Sequence, residues 1–408
     1  MKILHTADWH IGKQLYKHDL EDQLLLFFDW LIDSIQTDKI DVLLVSGDVF
    51  DLANPSVKDR KIYYQFLSRL ISCKIKVIIT GGNHDAVGML NAPREILETL
   101  DITVIGGATQ PITDELVEVK NSQGDISLVV AAVPFLRDRD LRHATTDDQF
   151  PNRTAAIRAG IKKHYEQLAD ICKQRYEGIP IIAMGHLYVR SALTSESERE
   201  IHVGNTAAVE VSYFDPVFQY VALGHIHKPQ KMSKNEMVRY SGSPIALSFS
   251  EKEDRKQVVT LEVKDGKVGG VTVLPVPQSR ELRRFKGTLA AVKQQLTEYQ
   301  PEFPLSSLVE IDVQEKQYNV MTTAGVEALV DLYSKNGAFQ IIKGRTTFEH
   351  GVKNTADLFH EGKNIKDLKP IEVFEKLLEE GIYEEKEKAN IIDSFKELME
   401  EMQEEELL

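Results

Sequence analysis

The sequence predicts an α/β protein with a sheet buried on both faces, followed by a smaller α/β module and a helical tail. Three observations predict it. Short apolar runs rich in Val and Ile recur through roughly the first 275 residues. Helical periodicity separates several of these runs, the alternation of an α/β chain. After the break Pro275-Val276-Pro277 a second, shorter alternation begins.

The apolar runs are Lys2 to His5, Val42 to Val45, Val77 to Ile79, Leu128 to Val133, Ile181 to Met184 and Tyr220 to Leu223. Runs so continuously apolar suit strands covered on both sides, because a half-exposed strand would alternate apolar and polar residues. Between the first two, Leu24, Leu25, Phe28, Leu31, Ile32 and Ile35 recur at helical spacing. Beyond the proline break, Leu289 to Leu296 and Val326 to Tyr333 alternate with Leu308 to Val313 and Phe339 to Ile342, a module of about half the usual domain size. The pattern weakens from Thr346 to Lys369, where a linker is expected. In the tail, Pro370 suits a first helical position, Ile371, Phe374, Leu377 and Leu378 share one face, and Gly381 suits a C-terminal cap. A second apolar stripe follows in Ile391, Ile392, Phe395, Leu398, Met399 and Met402. The expected boundaries are therefore 1–275, 276–345, 346–369 for the linker and 370–408 for the helical segment.

Of the 408 residues, 42% are hydrophobic and 27% charged, a soluble globular composition, and no apolar run approaches the ~20 residues of a membrane helix. The start, Met1-Lys2 and then a strand-like run, lacks the features of a secretory signal, so a cytoplasmic location is expected. Cys73 and Cys172 lie far apart, which argues against a disulfide framework or thiolate metal site, and both read as buried small hydrophobes. A net charge of −14 argues at first against a polyanionic partner. Its distribution changes that reading: residues 371–408 hold 14 acidic and 4 basic side chains, a net of −10, which leaves −4 for everything before them. Bound divalent cations could offset that locally.

The chemistry gathers where strands end. Asp8 and His10, two apart, follow the first run, and an extended strand would aim both to one side. Asp48 follows Gly47, with Asp51 three further on. Asn83, His84 and Asp85 follow Gly81-Gly82, His186 follows Gly185, and His225 and His227 flank Ile226 after Gly224. Open α/β sheets bind ligands beyond the carboxyl ends of their strands, so these residues are expected to converge. Carboxylate, imidazole and one amide, without thiolate, suit Mn²⁺, Fe²⁺ or catalytic Zn²⁺ better than structural zinc. Two such ions could hold a phosphate and activate water, so the expected reaction is phosphoester hydrolysis. Asp51 is equally placed to cap the helix that follows, as are Asn54 and Ser56.

A single Asp-x-His or His-x-His is commonplace, but the ordered series Asp-x-His, Gly-Asp-x-x-Asp, Gly-Asn-His-Asp, Gly-His and Gly-His-x-His resembles the calcineurin-like metallophosphoesterases. Within them, "KILHTADWHIGK", "SGDVFD", "GGNHD", "YVALGHIHKPQ" and "YSGSPIALSFSE" resemble the SbcD family of bacterial nuclease subunits along almost the whole chain. The resemblance implies a sheet sandwich flanked by helices, a small α/β domain capping the active site and gripping DNA, and a C-terminal helical segment. It implies one metal on Asp8, His10, Asp48 and His227 and a second on Asp48, Asn83, His186 and His225, most often Mn²⁺, with Asp48 as the bridge. His84 would stabilise the phosphorane and protonate the leaving oxygen, paired with Asp51. The implied activities are 3′–5′ double-strand exonuclease and single-strand or hairpin endonuclease, in DNA repair, replication and recombination. The implied partners are DNA, a second copy of the chain, and the SbcC ATPase docked on the tail helices. SbcC would consume the ATP, since no Gly-Lys-Ser/Thr phosphate loop occurs here.

Basic candidates for backbone contact are Lys13, Arg137, Arg139, Arg142, Lys228, Lys231 and the dense group Arg280, Arg283, Arg284 and Lys286. Two rival functions remain: another metallophosphoesterase, either phosphatase or cyclic-nucleotide phosphodiesterase, and a catalytically inactive DNA-end binding scaffold. A competent ligand at every motif position disfavours the second.

Overall fold

The computed structural model describes residues 1–350 other than 143–151, 200, 202–207, 233–236 and 335–336, and beyond them only 371, 374, 378, 388 and 390–395. The chain divides into two compact units. One comprises Met1–Arg284, Tyr299–Glu310 and Leu332–Lys343, and the other Phe285–Glu298, Ile311–Asp331 and Gly344–Leu408.

Among the described residues the first unit holds two six-stranded sheets. In the first sheet, Lys2–Thr6 pairs in parallel with Val42–Ser46, which pairs with Lys76–Thr80 and that with Ile102–Ile105. The antiparallel pair Gln257–Lys264 and Lys267–Pro275 joins the free edge of Lys2–Thr6, so the chain returns to its own beginning to close this sheet. In the second sheet, Ile126–Ala132, Ile181–His186, Phe218–Gly224 and Val238–Tyr240 run in parallel, with Leu116–Lys120 and Gln230–Lys231 antiparallel at the edges.

The period of two in a strand explains the continuous apolar runs. Ile3, Val42, Leu44 and Ile78 face a core shared with Val130, Ile182, Met184 and Ala222 of the second sheet. Their neighbours Leu4, Leu43, Val45 and Val77 pack on the helices Glu21–Asp38 and Val57–Cys73, while Val129, Ala183 and Val221 pack on Arg153–Arg175. Helices thus cover both outer faces of a two-sheet sandwich. The cap of Val57–Cys73 is Ser56, which accepts from Asp59 N and receives the Asp59 side chain in return, so Asp51 is free of that duty. Cys172 is fully buried as expected, whereas Cys73 is only half-buried.

Strands Leu282–Gly287, Ser307–Gln317 and Phe339–His350 form a three-stranded sheet in that order, accompanied by helices Leu289–Glu298 and Val320–Leu332. The last strand runs eight residues beyond Ile342, into the stretch read as linker, because Thr346, Thr347 and Phe348 favour extended backbone. The rest of the expected linker, 351–369, lies outside the described residues. In the tail, Ile371, Phe374 and Leu378 are helical, as are residues 390–395, and the rings of Phe374 and Phe395 stack with centroids 3.8 Å apart. The expected positions Leu377, Gly381, Leu398, Met399 and Met402 lie outside the described residues.

Candidate metal centre

The first strand ends at Thr6, so Asp8 and His10 are not on extended backbone, as their spacing suggested. Both sit in the left-handed region, with φ of 55° and 46°, and Asp48 (49°) and His225 (96°) do the same. Each such residue costs on the order of 1 to 3 kcal/mol and persists only where its surroundings fix it. Here the fixing is a backbone ladder: Asp8 N donates to Gly47 O (3.0 Å), His10 N to Asp48 O (3.0 Å) and Ile11 N to Val49 O (2.9 Å). Asp85 then clasps the next loop, accepting from Val49 N, Phe50 N and Gly82 N at 2.8 to 3.1 Å. Two glycines let the sheets approach at this rim. A Cβ on Gly224 would strike Ser46 O, and Gly47, at φ 83°, leaves no room for one against the His186 ring.

The predicted residues meet around Asp48. Its Oδ2 lies 3.3 Å from His186 Nε2, 3.6 Å from His10 Nε2 and 3.9 Å from His84 Nε2, while Oδ1 accepts from His84 N at 2.9 Å. His10 and His227 bring their Nε2 atoms within 3.1 Å of each other. Asn83 Oδ1 lies between His186 Nε2 (2.9 Å) and His225 Nδ1 (3.2 Å). Asp8 Oδ1 accepts from His225 N at 2.9 Å. Asn83 is half-buried and the others are almost wholly buried. Potential ligand atoms of Asp8, His10 and His227, of His10, Asp48 and His84, and of Asp8, Asp48 and His186 each fall within 4.8 Å of one another.

Four imidazoles point Nε2 inward because Nδ1 is held from behind. His10 Nδ1 lies 3.2 Å from Asp51 Oδ1, His84 Nδ1 2.7 Å from Asp51 O, His186 Nδ1 2.9 Å from Ser46 O, and His227 Nδ1 2.6 Å from Ser197 Oγ. This fixes the tautomer that a metal-ligating histidine needs. Among the described residues, Asp8 Oδ2 and His225 Nε2 are buried without a hydrogen-bond partner. Such orphaned atoms are costly unless something else satisfies them, and a divalent cation among oxygen and nitrogen donors would do so.

Proton affinities reflect the crowding. Burial pushes the Asp8 carboxyl up to about 7. Burial opposes charge on His186 too, but Asp48, by its charge and hydrogen bond, and then Asp8 raise that ring to about 9. Asp48 is held well below the carboxylate range against its own burial by His186, His10 and His84. Burial lowers His84 to about 4 and drives His225 well below the ordinary value.

Asp51 reaches His84, as its sequence reading expects, and also a second ring. Its carboxylate lies nearer His10 Nδ1 (3.2 Å) and Lys13 Nζ (3.1 Å) than His84 Nδ1 (3.8 Å), so it braces His10, and His84 is held by the Asp51 carbonyl. Burial opposes the charged form, yet the hydrogen bonds from His10 and Lys13 keep Asp51 ionised below the usual range. The dense basic stretch also changes meaning. Arg280 is buried and donates to Asp22 at 2.6 Å, and Arg284 pairs with Glu310 at 2.5 Å. Near the site, Arg137 donates to Asp85 O at 2.6 Å. Ser197, Glu198, Glu251 and Lys256, which surround His227, were not singled out from the sequence. Glu251 is the last letter of "YSGSPIALSFSE", and no spacing rule marks it.

A two-sheet α/β sandwich whose strand ends carry this donor set defines a phosphoesterase of the dinuclear kind. The family description "Calcineurin-like phosphoesterase" matches residues 1–229. The SbcD subunit of nuclease SbcCD from Escherichia coli (strain K12) is 35% identical over 325 residues, 78% of this chain and 80% of that one. The protein of the same name from Rhodobacter capsulatus is 35% identical over 288 residues (68% and 70%), and that from Bacillus subtilis 32% over 274 (65% and 67%). The chain belongs to the calcineurin-like phosphoesterases and, within them, to the SbcD nucleases of SbcCD complexes, and is thus a metal-dependent phosphodiesterase. No helix among the described residues is long and apolar enough to cross a membrane.

Proposed function

We propose that this chain hydrolyses DNA phosphodiesters in the cytoplasm as the nuclease subunit of a complex with the SbcC ATPase. In this reading it acts as a 3′–5′ double-strand exonuclease and a single-strand or hairpin endonuclease. The single observation that carries the reading is the gathering of five strand ends on Asp48. Asp8, His10, Asp48 and His227 would hold one Mn²⁺, and Asp48, Asn83, His186 and His225 the other. Two such ions, when bound, supply Lewis acidity toward the phosphate and an acidified water.

The chain's own groups do the rest. Asp48 joins the two halves of the donor set, and the burial of the site keeps bulk water from screening its charges. His84, anchored at Nδ1, leaves Nε2 open to the site. An approaching anionic phosphate favours the protonated ring, which then donates to the leaving alkoxide. Lys13 and Arg137, beside the motif loops, are rim cations placed to meet further phosphates. The domain expected at 276–345 would add to the grip on DNA.

The tail, net −10 over residues 371–408, suits a basic coiled coil, and we assign it to SbcC docking within a heterotetramer built on a homodimer of this chain. The deciding experiment is a cleavage assay on blunt and hairpin DNA with Mn²⁺, with and without SbcC, beside a phosphopeptide and a cyclic nucleotide. DNA degradation that gains ATP dependence with SbcC is expected, and loss of that dependence when the residues after His350 are deleted. Faster action on the phosphopeptide or cyclic nucleotide would overturn the DNA assignment, and retained ATP dependence in the truncated chain would overturn the docking role.

A further inference from the structure

The phosphoesterase match ends at residue 229, yet the histidine just before that boundary is braced by residues well beyond it. The Glu251 side chain is fully buried. Its Oε2 accepts from Lys256 Nζ (2.6 Å) and Leu247 N (3.1 Å), which ties down the loop that carries it. Its Oε1 faces the other way, accepting from the Ser197 hydroxyl and lying 3.4 Å from His227 Nδ1. Ser197 Oγ is itself 2.6 Å from that nitrogen. Lys256 Nζ also donates to His227 O at 3.1 Å, and Glu198 Oε1 accepts from His227 N at 2.9 Å.

A buried carboxylate needs compensation, and Lys256 with Leu247 N already supplies it at one oxygen. The second oxygen also accepts from the hydroxyls of Ser195 (3.1 Å) and Ser248 (3.3 Å), and of its hydroxyl partners Ser197 is the one that in turn meets the His227 ring. A neutral imidazole carries one N–H. With carboxylate and hydroxyl at Nδ1 the proton resides there, and the lone pair of Nε2 is presented toward His10 Nε2, 3.1 Å away. The negative charge behind the ring also makes Nε2 a stronger donor. We propose that Glu251, held by Lys256 and acting with Ser197 on Nδ1 of His227, is a positioning residue that sets the affinity of the ion on the His10/His227 side. Through it the segment "YSGSPIALSFSE" reaches the site from outside the matched phosphoesterase region.

The inference rests on the two-ion reading of the site, and the test separates the two. Mn²⁺ alone is titrated into the full-length ion-free protein by calorimetry, with electron paramagnetic resonance reporting whether the bound ions are coupled. Wild type should take two. Glu251→Gln/Lys256→Met removes both buried charges together, so the ion-free protein should melt close to wild type. Its affinity at one of the two sites should fall about 10- to 100-fold, with loss of the coupled signal at limiting Mn²⁺, while the other site is unchanged. Glu251→Asp, which keeps the charge, should recover part of the loss. Two ions bound at wild-type affinity by the folded double variant would overturn the proposal. If that variant does not fold, Ser197→Ala, which leaves the buried pair in place, decides by the same titration: a selective loss of about tenfold supports the proposal and unchanged affinity overturns it. Fewer than two ions in wild type would instead defeat the two-ion reading itself.

Discussion

The two sides of Asp48 are braced by different kinds of group. On one side, His10 and His227 are backed by side chains, the Asp51 carboxylate and Ser197 with Glu251. On the other, His186 is backed by the Ser46 main-chain carbonyl, and His225 keeps a buried nitrogen without a partner among the described residues. A carboxylate brace can be altered by one substitution, whereas a carbonyl stays whatever residue carries it. The first side is therefore open to tuning by sequence, and the second is fixed by the approach of the two sheets.

The largest effect should come from the residue shared by both sides. Asp48→Ala is expected to lose both ions and to lower turnover by about three orders of magnitude or more, read by metal titration beside the cleavage assay. Retention of one ion would show that the sides are independent. His84→Ala should bind both ions normally and lose about 10²- to 10⁴-fold in turnover if, as proposed, His84 acts on protons rather than as a ligand. A missing ion in that variant would move His84 among the ligands.

The next test bears on the braces. Asp51→Asn should weaken Mn²⁺ about 10- to 100-fold on the His10 side only, and equal weakening at both sites would erase the contrast. Proton release should report one group from each side. In the ion-free protein His186 is raised to about 9 by Asp48 and Asp8 against its burial, and burial lifts Asp8 to about 7. Raised values mean that both groups hold protons at low pH, and ions must displace them. Affinity should thus rise with pH, by up to about tenfold per unit for each proton displaced, with Asp8 and His186 together contributing close to two protons near pH 6 and one near pH 8. Calorimetry in buffers of different ionisation enthalpy counts them, and a flat profile would contradict the assignment. The smallest effect is expected from Ser46→Ala. Its hydroxyl donates to Ala222 O at 3.0 Å, so about 0.5 to 1.5 kcal/mol of stability should go, while Mn²⁺ affinity stays within about twofold. A large loss of affinity would mean that the side chain, not the carbonyl, orients His186.

The contrast also separates what local sequence records from what only folding brings together. The apolar runs give the strands, and the ordered donors after them give the site, because periodicity and residue type are local properties. That the runs divide between two facing sheets was legible only through family resemblance. Inter-sheet residues such as Ile3 and Met184 alternate with helix-facing ones such as Leu4 and Ala183 in runs that are apolar throughout.

The residues alone carry the α/β alternation and the Asp, Asn and His groups that follow the strands, from Asp8 to His227. What stands behind those groups comes from folding: Asp51 backs His10, Glu251 lies behind His227, and Arg280 is taken by Asp22. A hydrogen bond between residues tens or hundreds of positions apart depends on where two buried surfaces meet. No spacing along the chain records that distance.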